Sequence, residues 1–176
     1  MKIGVLIMSI LAFLTGCNSI KGDQYQELNP KFSLEQFFSG NIKAWGIIQD
    51  YSQNITARFE ADMVGTWSGN KGVLDEVFTY YDSDRKQVRK WEITKIDDLN
   101  YTGTAGDIIG TATGKSFGNA INWTYEMDVP VEDKTYRLKF DDWMWAMDDG
   151  NVVINRSYLK KFGITVAEIT IFMQKQ

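Results

Sequence analysis

The stretch Ile55-Thr56-Ala57-Arg58-Phe59-Glu60-Ala61-Asp62-Met63 alternates apolar and polar side chains without a break, and Ile121-Asn122-Trp123-Thr124-Tyr125-Glu126-Met127-Asp128-Val129 does the same. A period of two sends alternate side chains to opposite faces of an extended chain, so both stretches read as half-buried strands. Less regular alternation runs through 42–50, 73–81, 86–96, 136–145, 151–159 and 164–173, with short pieces at 99–104 and 108–113. The total is about ten strands. Between them stand residues that favour turns, among them Tyr51-Ser52-Gln53-Asn54, Gly69-Asn70-Lys71-Gly72, Asp82-Ser83-Asp84, Asp97-Asp98, Pro130 to Asp133 and Asp148-Asp149-Gly150-Asn151. Each link has hairpin length. A long meander with one apolar face removes its exposed edges best by closing on itself, so the expected fold is all-β, an antiparallel up-and-down barrel, with a β-sandwich as the alternative. Ahead of the strands, Ser33 and Gln36 have the spacing of a capping box, and Leu34, Phe37 and Phe38 give one apolar helical turn before Gly40. That turn is expected to plug one end of the barrel.

Composition narrows the chemistry. The 176 residues are 44% hydrophobic and 24% charged, enough for one domain with its own core. Histidine is absent and there is a single cysteine, which excludes Ser/His/Asp and Cys/His nucleophiles and most zinc or transition-metal sites. The net charge is -4 with no concentrated basic stretch, so nucleic acid is not an expected partner. Gly110-Thr111-Ala112-Thr113-Gly114-Lys115-Ser116 falls one residue short of the phosphate-loop spacing and runs into a strand, not a helix, so it reads as structural. Gly103, Gly106, Gly110, Gly114 and Gly118 read as bends and bulges at barrel corners. Asp141-Asp142 and Asp148-Asp149 lack the spacing of a calcium loop. No cofactor and no metal is expected.

At the start of the chain, Met1-Lys2, an apolar run from Ile3 to Leu14 and then Leu14-Thr15-Gly16-Cys17 resemble a bacterial lipoprotein signal. The resemblance implies cleavage before Cys17 and a diacylglycerol thioether on its sulfur, with an amide-linked chain such as palmitate. Several acyl chains bury enough methylene groups for stable anchoring, which one chain does not. Asn18, in place of an inner-membrane-retaining Asp, implies the outer membrane, with the domain facing the periplasm. The expected organisation is a signal at 1–16, a lipidated N-terminus and polar tether at 17–29, and one barrel domain over 30–176.

A family resemblance spans most of the chain. Lys43-Ala44-Trp45-Gly46, Gly65-Thr66-Trp67-Ser68-Gly69, Leu74-Asp75-Glu76, Gly110-Thr111-Ala112-Thr113-Gly114, Gly118-Asn119-Ala120, Phe140-Asp141-Asp142-Trp143-Met144 and Asn155-Arg156-Ser157, in that order, resemble a bacterial lipoprotein family catalogued as domain of unknown function 3833. There is a looser likeness to lipocalin and fatty-acid-binding barrels. In lipocalins a Gly-x-Trp opens the first strand, whereas here Gly65-Thr66-Trp67 closes the second.

Extending the alternation gives the candidate site. Trp91 and Ile93 carry Arg89 onto the apolar face, Leu138 and Phe140 carry Asp142, and Leu74, Phe78 and Tyr80 carry Glu76. Val152, Ile154 and Tyr158 would bring Arg156 inward as well. Two acids and two bases inside an apolar barrel are costly unless paired or solvated. They read either as an ion-pair network that fixes strand register or as the anchor of an amphipathic ligand bound by Glu76, Arg89, Trp91, Asp142, Arg156 and Tyr158. Arg156-Ser157-Tyr158 resembles the Arg-x-Tyr carboxylate clamp of fatty-acid-binding proteins, which implies an acidic lipid-like ligand. Trp143 and Trp145 read as an exposed aromatic edge or as a core layer. Three functions fit: a lipid-anchored carrier of a small amphipathic molecule, an adaptor with a solid barrel, or an enzyme using carboxylates such as Asp75, Glu76 and Asp142 as acid and base.

Overall fold

The structure is a computed structural model that describes residues 20–176. The signal segment 1–16 and Cys17 lie outside the described residues. Ten strands form a closed antiparallel barrel: β1 (Gly40–Asp50), β2 (Ile55–Ser68), β3 (Lys71–Tyr80), β4 (Lys86–Lys95), β5 (Asn100–Ala105), β6 (Ile108–Phe117), β7 (Ala120–Val131), β8 (Lys134–Met147), β9 (Val152–Lys161) and β10 (Ile164–Lys175). Each strand pairs with the next, and β1 meets β10 from Ile42 opposite Lys175 to Asp50 opposite Ala167. The up-and-down barrel is the architecture, and the sandwich is excluded because β1 pairs with β10 and closes the sheet on itself.

The period of two decides what lies inside. On β2 Phe59, Ala61 and Met63 are buried, on β3 Leu74, Glu76 and Phe78, and on β7 Ile121, Trp123 and Tyr125. Burying a side chain such as Phe140, 4% exposed, contributes about 1.5–3 kcal/mol. Opposite the β7 indole the wall is made of small residues. A Cβ on Gly114 would lie 2.8 Å from the Trp123 ring, and one on Gly103 would lie 3.4 Å from both Trp123 and Trp91. These two glycines therefore make room for indoles. Gly110, at φ +70, is the bulge glycine that the sequence suggests, where the β6–β7 register shifts.

The helical turn α1 (Leu34–Phe37) closes one end. Ser33 Oγ accepts the Gln36 N–H at 3.2 Å, which caps the turn as its spacing suggests. Leu34, Phe37 and Phe38 join the barrel core. Their carbonyl end is held from two strands, β2 and β10. Trp67 Nε1 donates to the Phe38 carbonyl at 2.9 Å, and Lys175 Nζ donates to the carbonyls of Gln36, Phe37 and Ser39 at 2.8, 3.1 and 2.7 Å. From β5, Tyr101 donates to Glu35 at 3.0 Å, beside a Lys95–Glu35 ion pair of 2.7 Å. Gly65 fits under this plug because a Cβ there would stand 1.9 Å from the Phe38 carbonyl oxygen.

The segment before Pro30 makes specific contacts with the barrel's outer wall. A 3₁₀ turn at Gly22–Tyr25 sets the Tyr25 ring 5.8 Å from Trp143 and 6.0 Å from Trp145. Trp143 stacks on Phe117 at 5.8 Å and is 4% exposed. The two β8 indoles thus point outward, away from the interior core, and Trp143 is covered by the chain's own N-terminal strap. Gly22 already lies close against Phe117 of the barrel.

Candidate functional site

Inside the barrel is a cavity of about 980 Å³. At the plug it is lined by Leu34, Phe38, Met63 and Met173, and towards the opposite end by Asp50, Arg85, Asp128 and Lys161. Those four belong to the hairpin ends between β1 and β2, β3 and β4, β7 and β8, and β9 and β10. The cavity wall in between is mostly aromatic and aliphatic, interrupted by one polar constellation.

Neighbouring strands build that constellation. Glu76 on β3 stands opposite Arg89 on β4 in the ladder. The guanidinium turns instead to Asp107, in the β5–β6 turn, with Nε and Nη2 at 2.9 and 2.6 Å from one carboxylate oxygen. Asp142 on β8 accepts from Asn155 and Ser157 on β9, and from the Tyr125 hydroxyl at 3.4 Å. Trp91 and Tyr125 meet edge to face with ring centroids 5.5 Å apart. Glu76 Oε2 and Asp107 Oδ1 are buried and have no hydrogen-bond partner among the described residues.

Burial sets the protonation of this group. It pushes the Glu76 carboxyl up to about 7, with Arg89 opposing the rise and Asp107 and Asp142 adding to it. Burial also raises Asp142 against the pull of Ser157, Asn155 and Tyr125, and it holds the Tyr125 phenol well above its ordinary range. Arg89 stays a cation because the surrounding carboxyl groups and Tyr125 outweigh its desolvation.

Four of the six side chains singled out from the sequence line the cavity: Glu76, Arg89, Trp91 and Asp142. Arg156 and Tyr158 do not. On β9 the inward set is Val153, Asn155, Ser157 and Leu159. Arg156 lies on the outer face, its Nε 3.0 Å from Glu168 on β10, with its guanidinium 5.8 Å from the Tyr158 ring. The reason is local: Val152-Val153-Ile154 is apolar in both phases, and the true phase lets Asn155 and Ser157 donate to the buried Asp142 carboxyl. The Arg-x-Tyr clamp therefore does not face the interior. With Arg156 removed and Asp107 added, the interior holds three carboxyl groups around one guanidinium, and the balanced set of two and two is corrected. Asp107 gave no sequence signal because an acid beside a glycine in a turn reads as solvated.

With the geometry in view, the comparisons identify the lineage. The family model described as Protein of unknown function (DUF3833) matches residues 11–175. The chain belongs to that family. Among solved structures, this DUF3833 chain is similar to "Structure of S-type Phycobiliprotein Lyase CPES from Guillardia theta", at TM-score 0.57 and 8% identity, over 82% of this chain and 94% of that one. At that identity the likeness concerns the fold, and it agrees with the lipocalin-like reading of the sequence. No curated protein matches the chain.

Proposed function

We propose that this DUF3833 protein binds a small amphipathic molecule inside its barrel. The observation that carries the reading is the cavity of about 980 Å³, apolar along most of its wall and containing buried carboxyl oxygens that no group among the described residues satisfies. Ligand pockets commonly have about 300–1,000 Å³ and place a few polar groups in an apolar wall. An adaptor with a solid barrel would fill this space with its own aromatic side chains, so the cavity favours a carrier or sensor. The lipobox resemblance completes the proposal: Cys17 carries the acyl anchor, the outer membrane holds it, and the domain faces the periplasm.

Two experiments test the two parts. Mass spectrometry of extracts from the full chain purified from membranes should reveal a stoichiometric small molecule. That molecule should be lost when Ala167, in the cavity wall, is changed to Trp. An empty wild-type barrel that also takes up no added amphiphile refutes the binding reading. Blocking the lipoprotein signal peptidase with globomycin should make the precursor accumulate, and unchanged processing refutes the anchor.

A further inference from the structure

The polar constellation has a sign. Towards the end opposite the plug, the lining holds two acids, Asp50 and Asp128, the latter paired with Arg137, and two bases, Arg85 and Lys161. Deeper in, Glu76, Asp107 and Asp142 face Arg89 alone among the described cavity-lining residues, and Arg89 is already engaged by Asp107. Asp142 has three donors from the protein. Glu76, 7% exposed, keeps one oxygen with no donor, and Asp107 does the same. An acidic head group placed here would have to displace Asp107 from the only nearby guanidinium and sit among like charges, which is costly in a desolvated site. A protonated amine would do the reverse: it brings donors to the orphaned oxygens and offsets the excess negative charge. The ring faces of Trp91, Tyr125 and Phe78, which also line the cavity, suit a cation as well.

We infer that the ligand is a cationic amphiphile whose ammonium head group is held by Glu76 and Asp107. Its apolar body lies against Phe59, Phe140, Leu159 and Ile169. This inference rests on the binding reading above and names the class of molecule for the same site.

The test uses the full chain in nanodiscs, titrated at pH 8 with octylammonium, octanoate and octanol while tryptophan emission is followed, with empty nanodiscs as blank. Octylammonium should bind about tenfold or more tightly than octanoate. Glu76→Gln should erase that preference, and Asp107→Asn should reduce it, each variant being checked for its fold by circular dichroism. The second variant decides the matter if the first does not fold. Octanoate binding as tightly as octylammonium, or a preference that survives both substitutions, overturns the cationic assignment while leaving the binding reading intact, because the probes still bind. Failure of all three probes overturns the binding reading itself and this inference with it.

Discussion

Replacing Glu76 by Gln removes the ionisable group and keeps the shape, so the variant measures what burying that carboxyl costs. In the folded chain the group titrates at about 7, against 4.5 for an ordinary glutamate. At about 1.4 kcal/mol per tenfold change, the difference corresponds to about 3 kcal/mol. The folded state holds this proton more tightly than the unfolded state, so stability falls as pH rises. The contribution is fully present below 4.5 and is lost as pH passes through about 7. The chain has no histidine to obscure this window. The carboxylates held below their ordinary range, Glu35, Asp50, Asp82, Asp97 and Asp128, titrate at lower pH. Asp142 shifts in the same direction as Glu76, but it is common to both proteins and largely cancels in their difference. Between pH 5 and pH 8, urea unfolding followed by tryptophan emission should show the wild type losing about 2–3 kcal/mol relative to Glu76→Gln. A difference that stays flat within about 0.5 kcal/mol over that interval would refute the burial argument for this carboxyl.

Three further outcomes are expected. Gly65→Ala drives a Cβ to within 1.9 Å of a backbone oxygen of the plug and should cost about 2 kcal/mol or more, read as a lowered melting temperature; an unchanged melting temperature would mean that the plug is not seated there. Arg156→Met breaks a partly exposed ion pair with Glu168, so stability should change by about 0–1 kcal/mol and ligand content should stay the same, whereas loss of ligand would restore the inward clamp. Tyr25→Ala uncovers Trp143, which should shift tryptophan emission to the red and speed amide exchange across 20–30; unchanged spectra and exchange would detach the strap from the barrel wall.

Where sequence reading succeeded or failed depends on how firmly each strand specifies its phase. On β7, Ile121, Trp123 and Tyr125 alternate with Asn122, Thr124 and Glu126, and moving any of them to the other face would bury a polar side chain, so one phase survives. On β9 the apolar start Val152-Val153-Ile154 fits either phase, and Tyr158, amphipathic by nature, was poor evidence for the inner one. Correct phasing needs the knowledge that Asp142 lies across the ladder and draws Asn155 and Ser157 inward, which is a tertiary fact. Asp107 depends on strand register, since the β4–β5 ladder that sets Trp91 opposite Ala105, continued by two residues, brings this turn residue beside Arg89. The capping motif at Ser33, by contrast, is specified within four residues and was legible.

Lys175, whose ammonium holds three carbonyls at the plug, stands at the far end of the tenth strand from residues made near the start of the chain. During synthesis, the first strand must wait for the tenth before the ring can join, and the stopper cannot be latched until that same moment. Pairings between such distant parts of a chain form slowly. Until they form, a nascent chain exposes greasy, unpaired edges, so it has to be kept from aggregating until the whole thread has emerged.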